Sequence, residues 1–156
     1  MKSLFYLGVV TMLCCLPSCS DESTSRSDTP VSRAVASKQL DIPLPPSATS
    51  VYYFDFVGGL QDLERFIRFD VDPQELDSAV DAIVSSNNKT LKRVLPYPRS
   101  PITSAYLPPP RKEFLPMGWW DPSVVTTGYY RGYSDAYALQ ILVDQGHSRI
   151  YIRQSD

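Results

Sequence analysis

The residue pattern predicts an α+β fold: a small, mostly antiparallel sheet of four to five strands, one amphipathic helix on a face, and a long Pro-rich loop. Three observations point there. Short aromatic and β-branched runs alternate in the manner of strands, before and after a single stretch of helical periodicity. That stretch opens with helix-start chemistry. Between it and the last strands lies a segment with eight of the chain's 14 prolines, too dense for regular helix or a central strand. Strands grouped around one helix favour a sheet with that helix packed against it.

The elements follow in order. Ile42-Pro43-Leu44-Pro45-Pro46 is held extended by proline and leads into Val51-Tyr52-Tyr53-Phe54-Asp55-Phe56, a strand by composition. Gly58-Gly59 marks a turn. Beyond it, Ile67, Phe69 and Val71 share one face with Arg65, while Phe66, Arg68 and Asp70 share the other. These two strands are expected to pair as a hairpin. Asp72-Pro73-Gln74-Glu75 then supplies an N-cap, a proline at the first helical position and a Glu at the capping-box position. Leu76, Ala79, Val80, Ile83 and Val84 follow as one apolar stripe. Asn87-Asn88 is the expected helix end, because Asn tolerates the left-handed conformation.

Residues 95–122 hold the prolines together with Tyr97, Tyr106, Phe114, Trp119 and Trp120. Such a segment is too apolar for a free linker and is expected to cover part of the sheet's second face. Long connections of this kind are often functional. Thr126 to Tyr133 reads as a strand with glycines at 128 and 132. Leu139, Ile141 and Val143 alternate with Ala138, Gln140 and Leu142, Asp144-Gln145-Gly146-His147 turns, and Arg149 to Arg153 returns.

The N-terminus has another character. Met-Lys-Ser precedes an apolar run from Leu4 to Leu16, then Pro17-Ser18-Cys19. A basic residue, a short hydrophobic run and a small residue before a cut are the parts of a secretory signal, and the run is shorter than the ~20 residues of a membrane-spanning helix. Leu16-Pro17-Ser18-Cys19 resembles the lipobox of bacterial lipoproteins. That resemblance implies cleavage before Cys19 and acylation of its thiol, in preference to a plain signal peptide or an uncleaved anchor. It also implies membrane lipid as a partner, with two or three acyl chains holding stably where one holds weakly. Ser20 after the cysteine, with Asp21 one place later, implies the periplasmic face of the outer membrane over the inner membrane. The expected organisation is a signal peptide at 1–18, a lipidated N-terminus and disordered tether at 19–39, and one α+β domain at 40–156. The Ser- and Thr-rich composition after Ser20 underlies the tether, whose reach is roughly 25 Å.

Cys14, Cys15 and Cys19 are the chain's three cysteines, so processing leaves no thiol for a disulfide or metal in the mature domain. Lys2 is the only charge removed with residues 1–18, which leaves 14 basic and 17 acidic residues and a net charge of −3. That balance argues against nucleic acid, whose binding rests on cationic contacts to phosphate.

No catalytic constellation emerges. His147 is the single histidine and falls in a turn. No Gly-x-Ser-x-Gly elbow, phosphate loop or zinc-helix motif occurs, and no cofactor is expected. Asp70, Asp72, Glu75, Asp77 and Asp81 lack the glycine-bearing loop that calcium needs and read as helix-start acids. The positive feature is aromatic. Trp119, Trp120, Tyr129 and Tyr130 are the candidate binding residues, since Tyr and Trp concentrate at interfaces and adjacent tryptophans are expected to leave one indole available. Arg65 and Arg68 beside Phe66 are a weaker candidate for a carboxylate.

The mature part is also similar to small bacterial envelope proteins of uncharacterised function. These pair a strand like Phe66-Ile67-Arg68-Phe69 and a following helix with a late tryptophan segment and a terminal hairpin. The likeness touches residues 44–84 and 119–153 and implies no activity. The expected function is therefore a lipid-anchored, non-catalytic binding domain whose partner is a protein before a glycan, an immunity-type inhibitor being one special case. The alternative is a hydrolase of envelope polymers working through carboxylates, and a structural coat component is a third. Replacing Cys19 by Ala is expected to abolish metabolic palmitate labelling of the chain; labelling that persists in Cys19→Ala would remove the anchor.

Overall fold

The computed structural model describes residues 22–59, 62–90, 98–102, 107–132 and 138–155. The expectations for Cys19 and residues 1–18, and those for Tyr97, Tyr106 and Tyr133, lie outside these.

Seven strands form one open antiparallel sheet. β1 (Ser23–Val31), β2 (Thr49–Val57) and β3 (Leu63–Asp70) are a meander, as are β5 (Gly128–Gly132), β6 (Ala138–Asp144) and β7 (Arg149–Ser155). β7 pairs with β3, and the two-residue β4 (Ser100–Pro101) adds to β5 at the far edge. The resulting order is β1-β2-β3-β7-β6-β5-β4. Helices are two among the described residues: α1 (Arg33–Leu40) and α2 (Leu76–Thr90). The expected α+β sheet of four to five strands with one helix is therefore corrected to a mostly β fold of seven strands. The five strands legible in the sequence are all present. What it missed are the two edges and α1.

The larger edge puts a strand and a helix over residues 23–39, where the composition reads as a tether. β1 is polar on both faces, but backbone pairing with β2 places Ser23 opposite Val57 and Ser27 opposite Tyr53. An edge strand exposed to water on its outer side needs no apolar alternation, so composition alone mistakes it for linker. α1 is only eight residues, too short to hold in isolation. It is fixed from outside. Ser32 Oγ accepts from the Val35 N–H at 3.4 Å, and Asp41 closes the C-terminus in the left-handed conformation. Ala36 and Leu40 are fully buried against the sheet, and Arg65 Nη1 donates to Leu40 O at 2.9 Å, placing a cation where the helix dipole favours one.

α2 carries the predicted stripe inward: Leu76, Ala79, Val80, Ile83 and Val84 are all buried. It starts through a 3-10 turn, Pro73–Glu75, capped by Asp72 Oδ1 accepting from the Gln74 N–H at 2.9 Å. The capping box is relayed. Asp72 N–H donates to Ser47 Oγ at 3.1 Å, and Ser47 donates to Glu75 Oε2 at 2.6 Å. The helix runs past Asn87-Asn88 to Thr90.

Strand alternation gives the sheet two apolar faces. Val51, Tyr53, Ile67, Phe69, Ile141, Val143, Ile150 and Ile152 join both helices in one core. Phe54, Phe66, Leu142 and Tyr151 form a second with Leu107, Phe114, Met117, Trp119, Trp120 and Val125. Thus α2 carries the chain from β3 across the helix face, and residues 107–125 cover the opposite face, where the Pro-rich segment was expected. β5 closes on β6 through Gly128, at φ +150°, where a β-carbon would fall on the Val143 carbonyl oxygen. No helix among the described residues is long and apolar enough to cross a membrane.

Because Leu40 is a core residue, Leu40→Ala is expected to lower stability by about 2–5 kcal/mol, read as a shifted midpoint in urea unfolding. An unchanged midpoint would mean that Leu40 is not packed in the core.

Candidate binding surface

The face covered by residues 107–125 is where aromatic side chains converge. Tyr52, Phe54 and Phe56 project onto it from β2, Phe66 and Arg68 from β3, and Tyr151 from β7. The covering segment lies over them in sequence order. Phe114 reaches β2, its ring 4.7 Å from Phe54 and 5.1 Å from Phe56. Trp119 stacks on Tyr52 at 5.7 Å and 20°. Trp120 stands edge-on to Phe66 at 4.9 Å and to Tyr151 at 5.5 Å.

Both tryptophans are core residues, 6% and 8% exposed. The expectation of one available indole rested on strand-like alternation, and residues 117–120 instead form a turn closed by Trp120 N–H donating to Met117 O at 2.9 Å. A turn lets neighbouring side chains point the same way, and here they meet at 89° with ring centroids 5.9 Å apart. Neither indole Nε1–H finds an acceptor among the described residues. Tyr129 and Tyr130 do not join them as one surface, since alternation puts them on opposite faces. Tyr130 packs against the aromatic core, and Tyr129 is buried on the helix face, where its O–H donates to Asp77 Oδ1 at 2.6 Å beneath Arg99.

Arginines fasten the cover. Arg68 Nη1 donates to Trp119 O at 2.9 Å while its guanidinium lies 4.5 Å above the Tyr52 ring. Arg26, on β1, donates to Pro116 O at 3.0 Å. Arg111 pairs with Asp62 at 2.9 Å and lies 2.7 Å from Glu64, a carboxylate only 1% exposed that also accepts from Arg153 at 3.0 Å. Arg65, which the sequence set beside Arg68, lies on the other face and is taken by Asp55 through bonds of 2.9 and 3.2 Å. The two arginines therefore form no common site.

Two grooves flank the tryptophan turn. One, of about 500 Å³, is apolar and is lined by Leu107, Pro109, Pro110, Leu115, Trp120 and Val125 among others. Leu115 stands 50% exposed at it. The other, of about 560 Å³, is open and is lined by Arg26, Asp28, Tyr52, Arg68, Pro116, Gly118 and Trp119. Sequence reading passed over Leu115, which looks like one more apolar loop residue. It noticed Arg68 without its setting, although a charge that alternation aims at an aromatic face was the available signal.

The acids Asp70, Asp72, Glu75 and Asp121 each have a partner. Asp70 is held by Arg149 at 2.6 Å, Asp72 caps the helix start, Glu75 accepts from Ser47, and Asp121 accepts from Ser123. His147 lies in the β6–β7 turn, its Nδ1 2.7 Å from Asp144 and its side chain 66% exposed. Among the described residues, no three His, Cys, Asp or Glu side chains gather to hold a metal.

One titration is set by this geometry. The Tyr129 hydroxyl, then Arg99, hold the Asp77 carboxyl below its ordinary range against a burial effect of opposite sign, while burial and then Asp77 push the phenol up. A carboxyl depressed in the folded state stabilises the fold above its unfolded pKa of about 3.9, and that contribution disappears as pH falls through the native value. In Tyr129→Phe the Asp77 carboxyl is expected to titrate nearer its ordinary value by carbon-detected NMR, with less acid sensitivity of stability below about pH 4. An unchanged Asp77 titration would show the phenol bond to be immaterial. Compared with known proteins, the chain matches no family, and no curated protein or solved structure is similar to it.

Proposed function

We propose that this chain is a non-catalytic binding module of the bacterial cell envelope, presented on a membrane by lipid at Cys19, whose partner is a protein docking on the loop-covered face. The observation that carries the reading is the apolar groove beside the tryptophan turn. Its walls are mostly Leu, Ile, Pro, Val and Trp side chains, with Asp121 and Ser123 as the polar members, and Leu115 is half-exposed there. A concave apolar surface with aromatic backing suits the buried anchor side chain of a protein interface. A glycan fits less well, because sugars stack on free aromatic faces and here the rings of Tyr52, Trp119 and Trp120 are occupied by one another.

The anchor rests on the lipobox-like Leu16-Pro17-Ser18-Cys19, and Ser20 favours the outer membrane. With β1 beginning at Ser23, four residue steps separate it from Cys19, at most about 14 Å of extended chain. The lipidated domain would lie against the headgroups, with β1 nearest the bilayer, rather than swing on a long tether.

Affinity capture from envelope extracts with the full lipidated chain, compared with Leu115→Asp, tests the docking face. Leu115 is half exposed, so the substitution leaves the core intact. A protein retained by the wild type and lost from the variant is the expected result. Equal retention by both chains, or none by either, would contradict the proposal.

A further inference from the structure

The second groove holds an uncompensated charge. Arg68 is partly buried on β3, and among the described residues no carboxylate pairs with it. Its Nη1 bonds a backbone carbonyl, its guanidinium lies on Tyr52, and its Nε has no acceptor. The neighbouring cations are matched. Arg26 pairs with Asp28 at 2.6 Å. The next acid along Arg68's own face, Asp70, is held by Arg149 through bonds of 2.6 and 3.4 Å. Withdrawing a guanidinium from water without a counter-ion is unfavourable. A carbonyl bond and an aromatic face return only part of that, and a neutral side chain could fill the same space.

The groove around Arg68 is complementary to a small anion. Its charged lining residues are Arg26, Arg68 and Asp28, a balance of one positive charge. Trp119 lines the same wall, and its indole N–H, buried behind it, can report on what enters the groove. Guanidinium groups take planar carboxylates through two parallel bonds, and Tyr52, Pro116 and Trp119 provide apolar surface for the carbon chain behind such a group.

We propose that this groove is a carboxylate-binding site, with Arg68 as the principal cation, and that its natural occupant is an acidic side chain of a protein. The site lies across the tryptophan turn from the apolar groove, so it deepens the docking reading by giving the partner an acidic residue beside its apolar anchor. It nevertheless stands on Arg68 alone. Failure of capture at Leu115 would leave carboxylate binding intact, and failure of carboxylate binding would leave the apolar groove intact.

The test is an NMR titration of the Trp119 indole N–H with N-acetylglutamate amide, against N-acetylglutamine amide as the uncharged control. A saturable shift is expected with the glutamate probe and none with the glutamine probe, and Arg68→Gln is expected to abolish it. Because Arg68 also fastens the tryptophan turn, Asp28→Asn gives a second arm that leaves Arg68 in place. Asp28 is 55% exposed, and removing its charge is expected to tighten binding about threefold, the scale of one solvent-screened ion pair. Equal shifts with both probes, binding that survives in folded Arg68→Gln, or no tightening in Asp28→Asn would overturn the site. Binding of free acetate as tight as that of the amide probe would overturn the assignment to a protein side chain.

Discussion

The constraint on which the rest of this structure depends is a sheet that is apolar on both sides. Ile67 and Phe69 face one way and Phe66 the other within four residues of β3, and Ile150 and Ile152 alternate with Tyr151 on β7. Neither face can be left to water. The helix face has a conventional solution in α1 and α2. The second face is covered by a segment with almost no regular structure, and a proline-rich chain suits this because proline removes a donor that would otherwise need a buried partner.

Such a cover has few backbone bonds of its own, so side chains must fix it. Arginine does this repeatedly: Arg68 on Trp119 O, Arg26 on Pro116 O, and Arg111 on Asp62 and Glu64. Each joins a strand or hairpin to the covering segment, and each uses a planar fork that serves several acceptors at once. Aromatic contacts of Phe114, Trp119 and Trp120 supply the apolar half of the attachment. The two grooves exist because an irregular chain laid over a regular sheet leaves gaps on either side of the turn at residues 117–120. Binding capacity is thus a by-product of how the second face is closed.

The sequence made the middle of the sheet legible and its margins illegible. Alternation in 64–71 and 139–143, and the stripe from Leu76 to Val84, report burial directly, so the central strands and α2 could be read. β1 escaped because an edge strand is stabilised by pairing with β2 rather than by buried side chains, and Ser23 to Val31 therefore has the composition of a linker. α1 escaped because only Ala36 and Leu40 of its eight residues are buried. At the candidate site, composition picked out Trp119 and Trp120 and left one indole expected outside, and local spacing contains nothing to reveal the turn that sends both inward. Arg68 and Leu115 acquire meaning only from what lies above and beside them.

The central claim is that residues 107–125 are a fixed part of the fold, closing the second face with both indoles inside. Trp119 and Trp120 are the chain's two tryptophans, so tryptophan emission, excited selectively beyond the tyrosine band, reports on that face alone. Acrylamide quenching of the native protein measures their accessibility most directly. The account predicts blue-shifted emission and weak quenching that rises sharply on unfolding in urea. Native emission and quenching equal to those of the unfolded chain would mean the second face is open and would contradict it.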